Sequence, residues 1–292
     1  PKDNFYKQFK TLSLKEFKNQ LDYLEKNFII ISPDEAKNII RQKKFKKNFV
    51  WLTFDDGYFE HFKYVLPELK KRFIKASFFP VSNSMMQKEI ISANLIHVLL
   101  ACNSSRQKLY DKIKSIILNF SKDTFLFNQL ISRIKFNSRY DDQLTFIIKQ
   151  ILQKDLNLKL RSKVLNKLIK ENTPYEKEFL LKKMYFNLKH AKEIIKEGHE
   201  LGMHTVKHHW LNSLNYNHQA HEIKENINIY KKNHLFFEDI TFCYPYGAYN
   251  SNTLKILKKN NIKFGVTTSP EKFYIKSNKL LIPRFDTNDF LK

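Results

Sequence analysis

Two adjacent aspartates end an apolar run in the sequence Thr-Phe-Asp-Asp-Gly at residues 53–57. Asp55 and Asp56 repel one another unless a cation or a shared proton compensates their charges. Side chains alternate in direction at the end of a strand, so one carboxylate can reach a metal while its neighbour faces a substrate. Asp-Asp-Gly is also good turn chemistry, and the pair alone leaves a simple turn open.

Two histidines separated by three residues follow in His-Thr-Val-Lys-His at residues 204–208. His204 and His208 could bind one cation from a single loop, since imidazole nitrogen is a common ligand of Zn²⁺. A surface histidine cluster is the alternative. The adjacent His209 could be another ligand, a general acid or only a neighbour. Together with the aspartate pair, the spacing favours a metal site.

A third motif, Cys-Tyr-Pro-Tyr-Gly at residues 243–247, contains turn-forming residues. Pro245 and Gly247 predict a tight turn after a strand, which leaves backbone N–H groups directed at a ligand. Such donors can stabilise the oxyanion that forms in acyl transfer. An ordinary aromatic-rich β-turn is the alternative.

Each motif falls at the end of a predicted strand. A short apolar run occupies residues 28–31, and β-branched and aromatic runs predict strands at residues 49–54, 76–81, 199–203, 240–244, 263–267 and 279–285. Helical spacing of apolar residues predicts helices at residues 188–197, 219–232 and 252–260. This alternation implies an α/β fold with a largely parallel sheet, whose chemistry lies at the carboxyl ends of the strands.

Residues 87–178 have a different texture, with one proline and no glycine. Apolar residues recur there with helical spacing, which predicts several amphipathic helices with lysine-rich outer faces. We therefore expect residues 1–86 and 179–292 to form one α/β domain in two parts. Residues 87–178 are expected to form a helical insertion bordering the open side of the site.

The charge balance is strongly basic, with 52 Lys and Arg against 29 Asp and Glu and a formal net charge of +23. No arginine–aromatic patch accompanies the lysines, so a solvated lysine surface is favoured and no nucleic-acid partner is expected. No apolar run is long enough to cross a bilayer, although lysines could contact a membrane peripherally. Two cysteines in unrelated contexts favour a reducing, cytoplasmic compartment.

The three motifs, in this order, resemble those of the polysaccharide deacetylase family, also called carbohydrate esterase family 4. The resemblance covers about residues 5–87 and 188–289, and the helical middle lies outside the core family pattern. It implies a deformed seven-stranded (β/α) barrel that carries an all-helical insertion.

The resemblance also implies roles for individual residues. Asp56, His204 and His208 would hold one divalent metal ion, expected to be Zn²⁺, and Asp55 would be the general base that takes a proton from the attacking water. The backbone N–H of Tyr246 would stabilise the oxyanion.

Two departures from the family pattern concern the remaining groups of the site. Cys243 stands where many members carry an arginine that orients the base, so we expect Arg284 to supply this contact to Asp55. Alternatively, Arg284 pairs with Asp286 or Asp289 and only closes the domain. Many members also have a C-terminal Leu-x-His whose histidine is the general acid. No histidine follows His234, which leaves that role unassigned.

The function implied by the resemblance is metal-dependent removal of an N-acyl group, expected to be N-acetyl, from an amino sugar. The substrate would be a bacterial surface glycan or a nucleotide- or lipid-linked precursor. The alternative is a catalytically weak glycan-binding or assembly module on a deacetylase scaffold. The two departures favour the module, whereas the intact aspartate and histidine motifs favour the enzyme.

Overall fold

The computed structural model of the protein describes residue 9 and residues 12–42, 48–138, 141–274 and 277–289. The chain falls into two compact units. The α/β unit contains Leu12–Glu89 and Leu181–Lys292, and the helical unit contains Ile90–Leu180. The expected division at residues 86/87 and 178/179, with an insertion that borders the site, stays a prediction. Within the predicted first part of the α/β domain, residues 1–8, 10–11 and 43–47 lie outside the described residues.

Short parallel strands form the sheet framework of the α/β unit. In chain order they are β1 (Ile29–Ile30), β2 (Phe49–Val50), β3 (Thr53–Asp56), β4 (Ser77–Pro80), β5 (Glu200–Leu201), β6 (Thr241–Cys243) and β7 (Phe264–Val266). β1 pairs with β2, β3 with β4, β4 with β5, and β6 with β7, all in parallel. A parallel bridge between Met203 and Phe242 links the segment after β5 to β6. The predicted α/β fold with parallel strands is confirmed.

Two predicted strands differ from the structure. The run at residues 49–54 is divided into β2 and β3, because its first part pairs with β1 and its second part pairs with β4. The strand expected at residues 279–285 is reduced to one bridge, between Ile282 and Val266. The main chain leaves the ladder after this bridge, since Arg284 N donates to the Ser269 carbonyl at 3.0 Å, beyond the end of β7. The pairings of the described residues do not close the sheet, so the seven-stranded barrel stays a prediction.

Helices occupy the connections between the strands and most of the helical unit. In chain order they are α1 (Leu14–Asn27), α2 (Pro33–Gln42), α3 (Leu66–Lys71), α4 (Ser82–Met85), α5 (Ser92–Cys102), α6 (Arg106–Ser121), α7 (Leu126–Arg133), α8 (Gln143–Gln150), α9 (Leu158–Asn172), α10 (Lys177–Met184), α11 (Leu188–Lys196), α12 (Tyr216–Lys232) and α13 (Ser251–Lys259). The described residues of the helical unit form helices and no strand. Among the described residues, no helix is long and apolar enough to cross a membrane.

Local sequence signals set the helix ends as expected. α2 begins at Pro33, whose fixed φ suits a first helical turn, and the Glu35 carboxylate accepts a hydrogen bond from Ser32 N at 2.7 Å. α11 ends just before Gly198, which adopts a φ of 81°. These ends determine where the chain enters the next strand.

The sheet of the α/β unit is covered on both faces. Phe78 and Phe79 are adjacent in β4 and both fully buried, yet they belong to two different apolar clusters. Phe78 packs with residues of the surrounding helices, and Phe79 packs with Cys243 and Val266. Asp55 is the register partner of Phe79 and therefore lies on the same face of the sheet as Phe79.

Candidate metal centre and catalytic site

The aspartate pair ends β3 in a conformation that few residues adopt. Asp56 has a φ of 68° and Gly57 a φ of 74°, both in the left-handed region. A Cβ atom on Gly57 would lie 2.7 Å from Pro80 Cβ, so only glycine fits there. A left-handed aspartate is costly and usually persists where the surrounding structure uses it. The turn directs the Asp55 and Asp56 side chains to different partners.

The two histidines lie in a loop that follows β5. His204 is 2% exposed and His208 is 8% exposed, so both imidazoles are buried although the loop is irregular. Thr205 and His208 have φ values of 62° and 58°. The Thr205 hydroxyl accepts a hydrogen bond from His208 N at 3.0 Å and closes the loop on itself. The loop thus brings both rings to the side of Asp56.

The distances between these three side chains suit a metal ion. His204 Nε2 and His208 Nε2 lie 3.5 Å and 3.3 Å from Asp56 Oδ1, and 3.1 Å from each other. Tetrahedral bonds of ~2.0–2.1 Å would separate ligand atoms by about 3.3 Å. The three atoms therefore have the spacing of one face of a tetrahedral site.

The protonation of the two rings also suits ligation. His204 Nδ1 lies 2.8 Å from the Cys243 carbonyl oxygen, which can only accept, so Nδ1 carries a proton and Nε2 is the nitrogen that faces Asp56 and would bind an ion. Burial lowers the pKa of His208 to about 4, so this ring is neutral near pH 7. Burial also disfavours a charged His204, but contacts with Cys243 and Asp56 outweigh it and raise its pKa. The attraction that holds a proton here would equally hold a cation.

Asp55 is held by Arg284, and the expected contact is present. Arg284 Nη1 donates to Asp55 Oδ1 at 2.8 Å, and Nη2 donates to Oδ2 at 2.7 Å. The same guanidinium donates through Nε to the Thr267 carbonyl at 2.8 Å and through Nη1 to the Thr53 hydroxyl at 3.0 Å. Arg284 is therefore anchored on Thr267 and Thr53, and it forms a bidentate ion pair with the carboxylate. The alternative pairing with Asp286 or Asp289 is not the one observed.

The environment keeps Asp55 ionised. Burial alone would raise its pKa, but the charge and hydrogen bonds of Arg284, followed by the charge of His204, hold the pKa well below its ordinary value. The Cys243 thiol donates to Asp55 Oδ2 at 3.4 Å, and burial raises the pKa of that thiol. Cys243 thus remains a neutral thiol beside the Asp55 carboxylate. The side chain of Asp55 is 35% exposed, which leaves it accessible to a substrate.

The third motif forms the predicted tight turn directly after β6. Tyr246 adopts a φ of 58° within the 3-10 turn Pro245–Gly247. A Cβ atom on Gly247 would lie 2.2 Å from Thr268 Oγ1, so this position also requires glycine. The Tyr246 ring centroid lies 4.5 Å from that of His208, which places the turn beside the metal-ligand candidates. The role of its N–H in stabilising an oxyanion stays a prediction.

Sequence reasoning missed two features of this site. Trp210 stacks on Tyr246 with ring centroids 4.3 Å apart and planes inclined by 7°, so an aromatic pair lies beside His208. Four non-glycine residues with left-handed φ belong to the site: Asp56, Thr205, His208 and Tyr246. Only the tolerance of Asp and His for this conformation could have indicated it in advance.

The general acid stays unassigned. His209 follows the loop but belongs to neither group of described side chains that could hold a metal. Those groups are Asp56 with His204 and His208, and Asp55 with His204 and Cys243. The second group lies beside the positive charge of Arg284, which opposes a cation, so the first group is the candidate metal centre.

Comparison with known families places these residues in a shared pattern. The family model for polysaccharide deacetylase matches residues 42–114 and 146–265, well over half of the chain. The matched residues include both aspartates, both histidines and Tyr246, whereas Arg284 lies beyond them. The match also extends into the helical unit, which the sequence motifs had left outside the family pattern.

Individual relatives agree with this match. The chain is 34% identical over 80 residues, 27% of its length, to the Bacillus subtilis (strain 168) protein named "Putative polysaccharide deacetylase YxkH". This match spans 28% of the length of that relative. The structure is similar to the deacetylase PplD of Streptococcus pyogenes in complex with acetate, with a TM-score of 0.54, 20% identity and coverage of 93% of this chain and 80% of that chain. It is also similar to IcaB from Ammonifex degensii, with a TM-score of 0.56, 16% identity and coverage of 99% and 88%. At these identities the similarity establishes the fold.

Proposed function

Because the chain belongs to the polysaccharide deacetylase family, we propose that it is a metal-dependent hydrolase that removes an N-acetyl group from an amino sugar. The proposed substrate is a bacterial surface glycan or its nucleotide- or lipid-linked precursor. The observation that carries the proposal is the cluster of Asp56, His204 and His208, which adjoins a carboxylate that an arginine holds ionised.

The three clustered side chains would hold one divalent metal, with Zn²⁺ expected from the two imidazoles and one carboxylate. When bound, such an ion acidifies water and polarises an amide carbonyl, which makes hydrolysis feasible near neutral pH. The donor set fits this ion because both Nε2 atoms and Asp56 Oδ1 converge, and the Nδ1–H of His204 is anchored on a backbone carbonyl.

Asp55 is the proposed general base. Its carboxylate is ionised and partly exposed, so it can accept a proton from the water that attacks the amide. Arg284 orients the base through two hydrogen bonds and is itself anchored on Thr267 and Thr53. The backbone N–H of Tyr246 is proposed to donate to the oxyanion that develops on the amide oxygen.

The test is acetate release from defined substrates. The purified protein would be incubated with Zn²⁺ and acetylated amino-sugar oligomers, or with nucleotide- and lipid-linked acetamido sugars, and the products analysed by mass spectrometry for loss of one acetyl group. We expect deacetylation by the unaltered protein and little by Asp55→Asn. Glycan binding with no acetate release under any of these conditions would instead favour the non-catalytic module.

A further inference from the structure

The loop between the two histidines is held by a buried carboxylate that belongs to neither sequence motif. We propose that Glu222 is a positioning residue that sets the geometry of the metal-ligand loop. The inference rests on the proposed metal site and adds a residue to its outer shell. Glu222 lies on α12, fourteen residues beyond His208, and is 4% exposed.

Two hydrogen bonds join Glu222 to the part of the loop that separates the histidines. Its Oε2 atom accepts hydrogen bonds from Val206 N at 3.1 Å and from Lys207 N at 3.0 Å. Two consecutive N–H groups that converge on one anionic oxygen form a backbone nest, an arrangement typical of anion sites. Here the anion is part of the protein itself. Because the acceptor is charged, each bond is stronger than a neutral one.

The loop needs this anchor because its own conformation is unfavourable. Thr205 and His208, on either side of the nest, both have left-handed φ values that residues with a Cβ atom rarely adopt. The loop has no helical or strand hydrogen bonds between them to impose this conformation. We therefore infer that an acceptor from outside the loop helps to hold the two imidazoles at their observed separation.

A second residue of α12 grips the same loop from the carbonyl side. The Asn226 side chain, fully buried one turn beyond Glu222, donates to the Thr205 carbonyl at 3.2 Å. That carbonyl also accepts from Ser82 N at 3.1 Å, at the start of α4. α12 thus binds an N–H pair and a carbonyl of one short loop. Of these contacts, only the one made by Glu222 places a charge against the loop.

A buried carboxylate is costly unless its oxygens are hydrogen-bonded, and two N–H groups of the metal-ligand loop supply those bonds to Glu222. Partners that orient metal ligands typically change metal affinity or activity by about 10–100-fold when they are removed. Glu222 would act on the ligands indirectly, through the backbone of Val206 and Lys207 that joins them. Its effect should therefore appear in metal binding and not only in folding.

The experiment measures metal affinity in protein stripped of metal, by competition for Zn²⁺ with a chromophoric chelator. We expect Glu222→Ala to weaken binding by about 10–100-fold. Glu222→Asp keeps the charge but is too short to reach the nest, and we expect a comparable loss. Glu222→Gln keeps an acceptor oxygen at the same reach and should recover part of the affinity. The matched control is Glu225→Ala, which removes an acidic side chain from the same helix and should bind as the unaltered protein does.

A second readout separates positioning from stability. Cobalt-substituted protein reports ligand geometry in its visible spectrum, and we expect the spectrum to change in Glu222→Asp while thermal unfolding shows a folded protein. Unaltered affinity and spectrum in Glu222→Ala and Glu222→Asp, even with reduced stability, would overturn the role of Glu222 alone. If Glu222→Ala does not fold, the aspartate and glutamine variants decide by the same criteria. Failure of the unaltered protein to bind any metal would overturn the proposed function, and with it the site that Glu222 positions.

Discussion

Two ion pairs lie at different heights along the parallel strands of the α/β unit, and they differ in how far they are enclosed by protein. Glu200 begins β5 and pairs with Lys37 at 2.7 Å, and Asp55, the proposed base, pairs with Arg284 at 2.7 Å. Glu200 is level with Ser77, whereas Asp55 is level with Phe79, two residues, or about 6.6 Å, nearer the carboxyl ends of the strands.

The two carboxylates differ in how completely their oxygens are enclosed. Glu200 accepts from Lys37 Nζ, from Thr241 N at 2.9 Å and from the Ser77 hydroxyl, and its side chain is 8% exposed. The side chain of Asp55 is 35% exposed. One pair is enclosed by protein donors, and the other leaves its carboxylate open to a substrate.

The comparison teaches where stability and function should separate. The closed pair is not accessible to a substrate, so breaking it should lower the free energy of unfolding and leave turnover unchanged. Breaking the open Asp55–Arg284 pair should instead reduce turnover and cost little stability. The variants below test this separation, beginning with the largest expected effect.

His204→Ala should abolish stoichiometric metal binding and, with it, acetate release. The substitution removes one of three ligand atoms that lie within 3.5 Å of each other and also the anchor on the Cys243 carbonyl. Metal content by atomic spectroscopy is the measurement, with His209→Ala as the control that should retain the ion. Full occupancy in His204→Ala would remove this residue from the ligand set.

Asp55→Asn should lower turnover by about 10²–10⁴-fold, the usual contribution of a general base, with metal content unchanged. The matched variant at the closed pair, Glu200→Gln, should leave turnover per folded molecule close to that of the unaltered protein. Steady-state kinetics with titrated metal gives both values. Near-normal turnover in Asp55→Asn would place the base on another residue.

Lys37→Met should lower the free energy of unfolding by about 3–5 kcal/mol, because it leaves the buried Glu200 carboxylate without its cation. Chemical denaturation measures the loss. Since this pair lies two residues further from the carboxyl ends of the strands than Asp55, the folded fraction should keep its metal affinity and turnover. A Lys37→Met protein that stays stable but loses metal would contradict the assignment of stability to this pair and of function to the Asp55–Arg284 pair.

Arg284→Lys should reduce turnover by about 10–100-fold, since a lysine cannot reproduce the two parallel hydrogen bonds to Asp55. Metal content and thermal stability should change little. The control is Arg41→Lys, at a partly exposed arginine that pairs with Asp239. Unaltered activity in Arg284→Lys, or simple unfolding, would give Arg284 a structural role instead.

The smallest expected effect is a pH dependence of stability near the enclosed Lys37–Glu200 pair. It arises from His199, the residue before Glu200. Burial, followed by the charge of Lys75, lowers the pKa of His199 to about 4, and its Nδ1 accepts from Ala76 N at 3.1 Å. Since the unfolded chain binds a proton near pH 6.5 and the folded protein does not, His199 by itself should account for a fall in stability of about 1–2 kcal/mol from pH 7 to pH 5.

Denaturation at both pH values checks this prediction. Burial also lowers the pKa of His61 and His208 to about 4, so His199→Gln should make the dependence shallower by that amount without removing it. His234→Gln, at an exposed histidine, should leave the dependence unchanged. An equally steep loss of stability in His199→Gln would assign the effect to other groups.

The family, the parallel α/β architecture and the residues of the candidate site could be predicted from the sequence because their signals are local. Apolar runs that end in Asp-Asp-Gly, His-x-x-x-His and Pro-Tyr-Gly place chemistry at strand ends, and parallel strands bring those ends together. The contact between Arg284 and Asp55 could be anticipated because Arg284 is the only arginine after residue 161. Metal binding and the roles of these residues stay predictions.

Other features depended on contacts between distant residues. The run at residues 49–54 is split because each part meets a different strand, and the segment around Ile282 makes only one bridge because Arg284 N bonds to the Ser269 carbonyl beyond β7. Neither Glu222 nor the Lys37–Glu200 pair has a sequence signature, since a buried charge looks like any other charge until its partners are known.

The sequence by itself determined which side chains could do chemistry: two carboxylates, two imidazoles, a glycine turn and one late arginine. Only the tertiary structure decided their geometry. It set the left-handed backbone at Asp56 and His208, the 3.1 Å between the imidazole nitrogens and the enclosure of one buried carboxylate but not the other. Residue types are local properties of the chain, whereas distances and exposure follow from packing between segments that are far apart in the sequence.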